Sequence, residues 1–358
     1  MMRYLKQLVN QLILIVFALK KIDLLKAFLD QNKESNNIIW IFPGSPFGVV
    51  SYLATAAVIQ DLALLYSCTK NLENYRIVIG PKIGRQRNKT VYYSFTDRFN
   101  PHKFESNSRY LQVLILALNN QGCNTFPSLH ELRFWEDKEY MYSAFEEENI
   151  SHPKTVNIKT DANLSDNINA VIRNFEFPLL VKEHFGNQSK GLYFVDSERD
   201  LKNRFLKLKS NEISSASVQQ LIRENSDHRV IVINGSVEQH YERIRNEKSD
   251  VNSPWQTTST KFGTILKFDA MEEKYLNILE EYAKRLNLSN AAFDVIIKDG
   301  EIFVLEVSSS YYTNPRPIND DFSPYKEFKK KIIAHNKLKI DIVFELREKW
   351  VKGLIFQE

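Results

Sequence analysis

The stretch AAFDVIIKDGEIFVLEVSSS, residues 291–310, reads as two apolar strands joined by a tight turn at Asp299-Gly300. Asp294 interrupts the first strand and Glu306 the second. Burying a lone carboxylate is costly, so acids in such a setting are paired or bind a metal. A two-residue Asp-Gly turn sets Asp294 opposite Leu305 and turns Glu306 to the other side of the sheet. For the two carboxylates to meet one cation, the hairpin needs a bulge or an odd-length loop, and we expect that irregularity. Two hard oxygen ligands side by side then suit Mg²⁺, which keeps several waters and shares itself with substrate phosphates. Ser308, two residues past Glu306, points to the same side and adds an oxygen. The bland alternative is two independent acids on solvated faces.

Upstream, FPLLVKEHFGNQSKGLYFV, residues 177–195, carries Lys182 at the end of an apolar strand. A lysine there is either solvated or reaches a phosphate. Gly186, Ser189 and Gly191 make a small-residue loop able to bring backbone N–H groups close to an anion. Neither the P-loop pattern nor the dinucleotide fingerprint is met, and alone the loop reads better as a plain hairpin turn. His184 reads as a loop residue.

Residues 36–130 alternate strands and helices, NIIWIFPG and YRIVIGP among the strands, and SRYLQVLILALNNQG as a helix stopped by Gly122. Such alternation suggests a small parallel α/β domain. GSPFG after the first strand does not meet GxSxG and reads as a strand-to-helix turn. At the N-terminus, Leu5, Leu8, Leu12, Ile15, Leu19 and Ile22 follow a 3–4 spacing along a helix over residues 1–35. Its apolar run LILIVFAL is too short for a membrane span, which takes about 20 residues, and no small-x-small cleavage site follows it. It reads as a helix docked on its own protein or on a twin subunit. Lys6, Lys20 and Lys21 keep attachment to a membrane surface open.

The 358 residues are too many for one core, and 43% apolar with 26% charged residues are ordinary globular values. A net charge of +4 spread over that length decides between no partner classes. Two cysteines, Cys68 and Cys123, form no disulfide framework and point to a reducing cytoplasm. The basic tail over 321–358, with lysines from Lys326 to Lys339, lacks interleaved aromatics and reads as solvated helices, so no nucleic-acid partner is expected.

Several features in order change the weight of each. Lys138 stands in a helix start, Lys182 precedes a glycine loop, VQQLI and DHRV follow, and Asp-x11-Glu-x-Ser closes the series. That order resembles the ATP-grasp superfamily over about residues 131–317, and within it the carboxylate–amine ligases typified by the ribosomal-protein glutamate ligases. The resemblance implies an ATP-grasp fold of two α+β lobes, at 131–215 and 216–320, preceded by the parallel α/β domain at 36–130. It implies ATP as cosubstrate, with Mg²⁺ or Mn²⁺. Lys138 and Lys182 match lysines that hold phosphates, with the Gly186–Gly191 loop folding over them. Gln219, Gln220, Leu221 and Ile222 match the segment reading the adenine edge, and Asp227 a position near the ribose. Arg229 matches a basic position near the phosphates, though DHRV also reads as a surface turn with its own salt bridge. Arg243 or Arg245 matches an arginine facing an acyl phosphate, and Asp294 and Glu306 match the metal ligands. The family usually has asparagine where this chain has Ser308, a shorter donor that implies a weaker second metal site; Asn314 is the candidate to compensate.

A carboxylate is a poor electrophile until phosphorylated, so such a site screens triphosphate charge with Mg²⁺ and lysines and holds the acceptor in line. The expectation is a ligase joining a carboxylate to an amine, the substrates being amino acids, peptides or a cell-surface sugar. A nucleotide-binding regulatory module without turnover is the alternative, and Ser308 is its best argument.

Overall fold

The computed structural model describes residues 34–43, 75–79, 83–96, 104–160, 163–184, 191–245, 264–268 and 271–309. The N-terminal helix, Cys68, Gly186, Ser189, Asn314 and the basic tail lie outside the described residues. The chain divides into two compact units, which part between Leu132 and Arg133.

In the first unit, β1 (Asn37–Pro43) lies between β2 (Tyr75–Ile79) and β3 (Thr90–Thr96), and β4 (Asn124–Phe126) extends the sheet beyond β3. All these pairs are parallel. The expected strands NIIWIFPG and YRIVIGP are therefore β1 and β2; β3 and β4 are additional. Helix α1 (Phe104–Asn119) buries Leu111, Ile115 and Leu118, a 3–4 spacing that makes one apolar face. The chain leaves it through Gly122, at φ +78°, where a Cβ would collide with the Asn88 side chain.

The second unit holds two antiparallel sheets. One orders β11 (Ile265–Phe268), β10 (Ser236–Ile244), β9 (Ser226–Ile233), β12 (Asn290–Lys298) and β13 (Glu301–Ser308). The other orders β5 (Thr155–Lys159), β8 (Ser215–Gln220), β6 (Leu179–Glu183) and β7 (Leu192–Val195). Each has an apolar core on one face. Val230, Val232, Phe293, Val295, Val304 and Val307 pack with α6 (Glu273–Arg285) and with α3 (Lys138–Glu147). Val181, Val195, Ala216 and Val218 pack with α4 (Leu164–Asn174) and α5 (Glu198–Ser210). Helix α2 (Leu129–Glu136) leads into α3 and adds Phe134 to the first of these cores. Fully burying a side chain such as Leu279 contributes about 1.5–3 kcal/mol, which fixes the cores. The fold class is the one expected: a parallel α/β unit followed by two α+β layers. Among the described residues no helix is long and apolar enough to cross a membrane.

The strands carrying these cores are two-faced. In β8, Ala216 and Val218 turn to α4 and α5, so Ser217 and Gln219 turn away from them. In β9, Val230 and Val232 turn to α6, so Asp227 and Arg229 turn away. Both sheets thus keep polar side chains on the face opposite their own core.

Candidate functional site

The hairpin that opened the sequence analysis is irregular in the way the two carboxylates require. Its turn has Asp299 at φ 52° and Gly300 at φ 82°, the positive pair of a two-residue primed turn. Lys298 pairs with Glu301, and the ladder runs regularly to Val295 opposite Val304. The register then shifts, leaving Leu305 as the extra residue of a bulge, and Asp294 pairs with Glu306. Opposite residues share a face, so both carboxylates project from one side. Ser308, opposite Ala292, joins them and is buried.

The row continues across the sheet. Asp294 pairs with Arg229 of β9, and Arg229 with Tyr241 of β10. In the next row, Asp227 pairs with Arg243. The side chains close into a chain of alternating charge. Arg229 donates side-on to both Asp294 oxygens, Nε to Oδ1 and Nη2 to Oδ2, each at 2.7 Å. Arg243 donates from Nε to Asp227 Oδ1 at 2.5 Å, and its Nη2 lies 3.2 Å from Asp294 Oδ2. Bidentate guanidinium–carboxylate pairs of this kind are among the stronger charge-assisted contacts. Burial alone would raise the Asp294 carboxyl, but Arg229 and Arg243 override it and hold the group down to about 2. Arg245 follows two residues later, just past the end of β10, where its N–H donates to the Asn225 carbonyl at 2.9 Å. Burial lowers its pKa, while Asp227 and Glu224 favour its charge. The DHRV segment is an inner strand of the sheet and not a surface turn.

From the other sheet comes Lys182, opposite Ser217 and therefore on the polar face. Its Nζ donates to the Tyr142 hydroxyl at 3.0 Å. Burial draws Lys182 down to about 8, against the pull of the Glu306 and Asp294 carboxylates. Tyr142 in turn donates to the carbonyl of Leu305, the bulge residue, at 3.1 Å. Burial pushes its phenol up; Lys138 opposes that, Glu306 adds to it, and a hydrogen bond from Gln219 opposes it. Lys138 sits at the start of α3, one turn before Tyr142, behind an Asp137 cap that accepts from the Glu139 and Tyr140 N–H groups. It is buried, and its Nζ makes a long 3.5 Å contact with the His184 carbonyl.

Lys138, Lys182, Gln219, Asp294 and Glu306 are therefore gathered in one neighbourhood with Asp227, Arg229 and Arg243. Gln219 is buried and also donates to Thr155 Oγ1 at 2.9 Å. Gln220 is exposed, its N–H donating to the Lys154 carbonyl, and Leu221 and Ile222 continue half-buried toward β9. Gly191 closes the base of the glycine loop, its carbonyl accepting from Glu183 N–H at 2.8 Å. His184, read as a loop residue, is buried: its Nδ1 lies 3.6 Å from Glu139 and burial pulls it down to about 4. Tyr142 and Tyr241 are the members that sequence reasoning missed. The signal for Tyr142 was its spacing, four residues after Lys138 on one helix face.

The donor set suits a hard divalent cation. Asp294, Glu306 and Ser308 offer only oxygen, and among the described residues no three His, Cys, Asp or Glu side chains gather as a metal cluster. Such a site needs a cation that completes its shell with water and phosphate. Asp294 has little to spare, since Oδ2 faces two guanidiniums and only Oδ1 keeps a second lone pair.

The sequence pattern of the RimK-like ATP-grasp domain matches residues 136–317, just over half of the chain. No curated protein matches in sequence. Similar solved structures include the D-alanine–D-alanine ligase of Bacillus anthracis complexed with ATP, at 16% identity over 90% of this chain and 100% of that one, TM-score 0.53. The RimK domain ATP-grasp protein of Sphaerobacter thermophilus is 12% identical over 87% and 99%, TM-score 0.51. The ATP-grasp ligase PsnB, complexed with a phosphomimetic variant of its minimal precursor, Mg and ADP, is 13% identical over 84% and 98%, TM-score 0.52. At such identities the likeness is one of fold, and it agrees with the sequence match in every case. The chain belongs to the RimK-like ATP-grasp domain family.

Proposed function

We propose that the protein is an ATP-dependent ligase joining a carboxylate to an amine through an acyl phosphate, with release of ADP and phosphate. The observation that carries this reading is the pairing of Asp294 with Glu306 across the bulge, in the field of Lys182. A carboxylate oxygen of the first substrate attacks the γ-phosphorus, the bond to the β,γ-bridging oxygen breaks, and ADP leaves. The amine nitrogen of the second attacks the acyl carbon and loses a proton, and inorganic phosphate leaves.

Lys138 and Lys182 hold phosphate oxygens in this scheme, and Asp294, Glu306 and Ser308 hold Mg²⁺. The cation, when bound, neutralises triphosphate charge and polarises the transferred group. Arg243, fixed by two carboxylates, keeps its Nη1 edge for the developing oxyanion, with Arg245 as the alternative. Arg229 orients Asp294. Gln219 to Ile222, with Asp227, line the nucleoside end in this scheme, and the Gly186–Gly191 loop, with Ser189, is assigned to the phosphates. An amino acid or peptide is the substrate class we favour, since the fold is shared with a D-alanine–D-alanine ligase and with a ligase complexed with its precursor.

The second reading, nucleotide binding without turnover, draws on Ser308 and on the occupied oxygens of Asp294. ADP release measured with pooled amino acids, peptides and other carboxylates decides between them. Acceptor-dependent ADP release with a product heavier by one condensed unit supports ligation. Tight nucleotide binding with no release under any acceptor supports the module.

A further inference from the structure

Tyr142 has one hydroxyl and, besides the Gln219 amide, two unlike partners on different sheets. It accepts from Lys182 Nζ, on the four-stranded sheet, and donates to the Leu305 carbonyl, in the five-stranded sheet. Its ring is fixed: it is 1% exposed, edge-on to Phe145 at 5.9 Å and stacked on His152 at 5.9 Å. Leu305 is the residue that the register skips, so its carbonyl lies where the ladder with β12 is interrupted. That carbonyl takes its hydrogen bond from Tyr142, and the next residue is Glu306. A phenylalanine would fill the same space and support neither contact.

We propose that Tyr142 is a positioning residue that couples Lys182 to the bulge presenting Glu306, so that phosphate held at one sheet and cation held at the other are set by one hydroxyl. The inference rests on the nucleotide site proposed above. Tyr142 itself touches neither ligand in this arrangement; it fixes the ammonium on one side and the backbone beside Glu306 on the other.

The test uses the full chain and Mn·ADP, with affinity read by calorimetry and by the Mn²⁺ electron paramagnetic resonance signal. Tyr142→Phe is expected to weaken Mn·ADP about ten- to a hundredfold, the range for losing a hydrogen bond to a charged group. Lys182→Met is expected to weaken it as well, and the double variant to lose less than the sum of the two single losses, because the Lys182 arm of the Tyr142 contact is already gone while the Leu305 arm remains. Full additivity, or a folded Tyr142→Phe chain that binds like the wild type, overturns the coupling. A wild-type chain that binds no Mn·ADP overturns the nucleotide site and the coupling together. Should Tyr142→Phe fail to fold, the wild type carries the test. ADP without a metal engages the lysines only, and is expected to slow amide exchange at Leu305 and Glu306; unchanged exchange there overturns the proposal.

Discussion

Asp294 stands opposite Glu306 because Leu305 is skipped by the ladder between β12 and β13. The two carboxylates are nevertheless in different electrostatic positions. Asp294 is the hub of an ion cluster, taking both donors of Arg229 and one of Arg243, whereas Glu306 belongs to the edge strand of the sheet.

That difference predicts two phenotypes from two similar changes. Asp294→Asn leaves Arg229 and Arg243 facing an uncharged partner in a mostly buried site. Breaking such a pair from one side costs about 2–4 kcal/mol of stability, visible as a fall in unfolding midpoint. Glu306→Gln leaves the ion cluster intact, so its midpoint stays within a degree or two while Mn²⁺ affinity falls at least tenfold. Equal melting losses for the two variants would contradict the geometry.

Lys182 makes nucleotide binding a proton-linked event. Burial lowers its pKa to about 8, so near pH 8.5 much of it is neutral in the free protein. A phosphate brought against it favours the ammonium form, and binding must therefore take up a proton. Calorimetry of ADP binding in buffers of different ionisation enthalpy is expected to show uptake of several tenths of a proton at about pH 8.5, where the ADP phosphates are already fully ionised and Lys182 is the group that titrates. Lys182→Met is expected to abolish the uptake. Proton release on binding at about pH 8.5 would be the opposite sign and would exclude a phosphate contact at Lys182.

Much of this was legible in the sequence. The hairpin and its irregularity follow from an Asp-Gly turn and a count of residues to each acid. Lys182 is visible because a lysine ending the apolar run LLV has few reasons to be there. Strand β10, SVEQHYERI, was harder, since a strand whose polar face meets Asp227 looks like a loop to any hydrophobic pattern. Arg243 and Arg245 are indistinguishable in sequence, being two apart; only the partners Asp227 and Asp294 separate them. Tyr142 was hidden because YMYSAF reads as ordinary core, and its partners Lys182 and Leu305 are 40 and 163 residues away.

His184 gives the fold a pH dependence of its own. It is buried, its Nε2 has no hydrogen-bond partner among the described residues, and burial pulls its pKa from 6.5 to about 4, with Asp137 opposing and Lys138 assisting. Between those values the unfolded chain binds more protons than the folded one. Stability from this group is thus complete above about pH 6.5 and is lost as pH falls toward 4, by about 3 kcal/mol in all. Urea unfolding at pH 4.5–7 measures it, and His184→Asn is expected to remove this component of the slope. A variant with the unaltered slope would assign the acid sensitivity to other groups.

Gly191 closes the glycine loop under two separate constraints, which a double-mutant cycle takes apart. Its φ is +71°, a region that side chains rarely adopt, and a Cβ there would come within 2.8 Å of Glu183 Cδ and Oε2 and 2.9 Å of its Cβ. Glu183 is not free to swing aside: its Oε1 accepts from Tyr193 OH at 2.6 Å, and Arg204 lies 3.9 Å over the Tyr193 ring. Gly191→Ala is therefore expected to cost about 2–4 kcal/mol, combining backbone strain with displaced packing. In a Glu183→Ala background the contacts with Cδ and Oε2 are gone while the one with Cβ stays, so the cost should fall toward, but not reach, the backbone part of about 1 kcal/mol. Urea unfolding of the four proteins measures both parts. An undiminished cost in that background would mean that the conformation of Gly191 and its nearness to the Glu183 Cβ, not to the carboxyl group, are what demand glycine at the base of the loop.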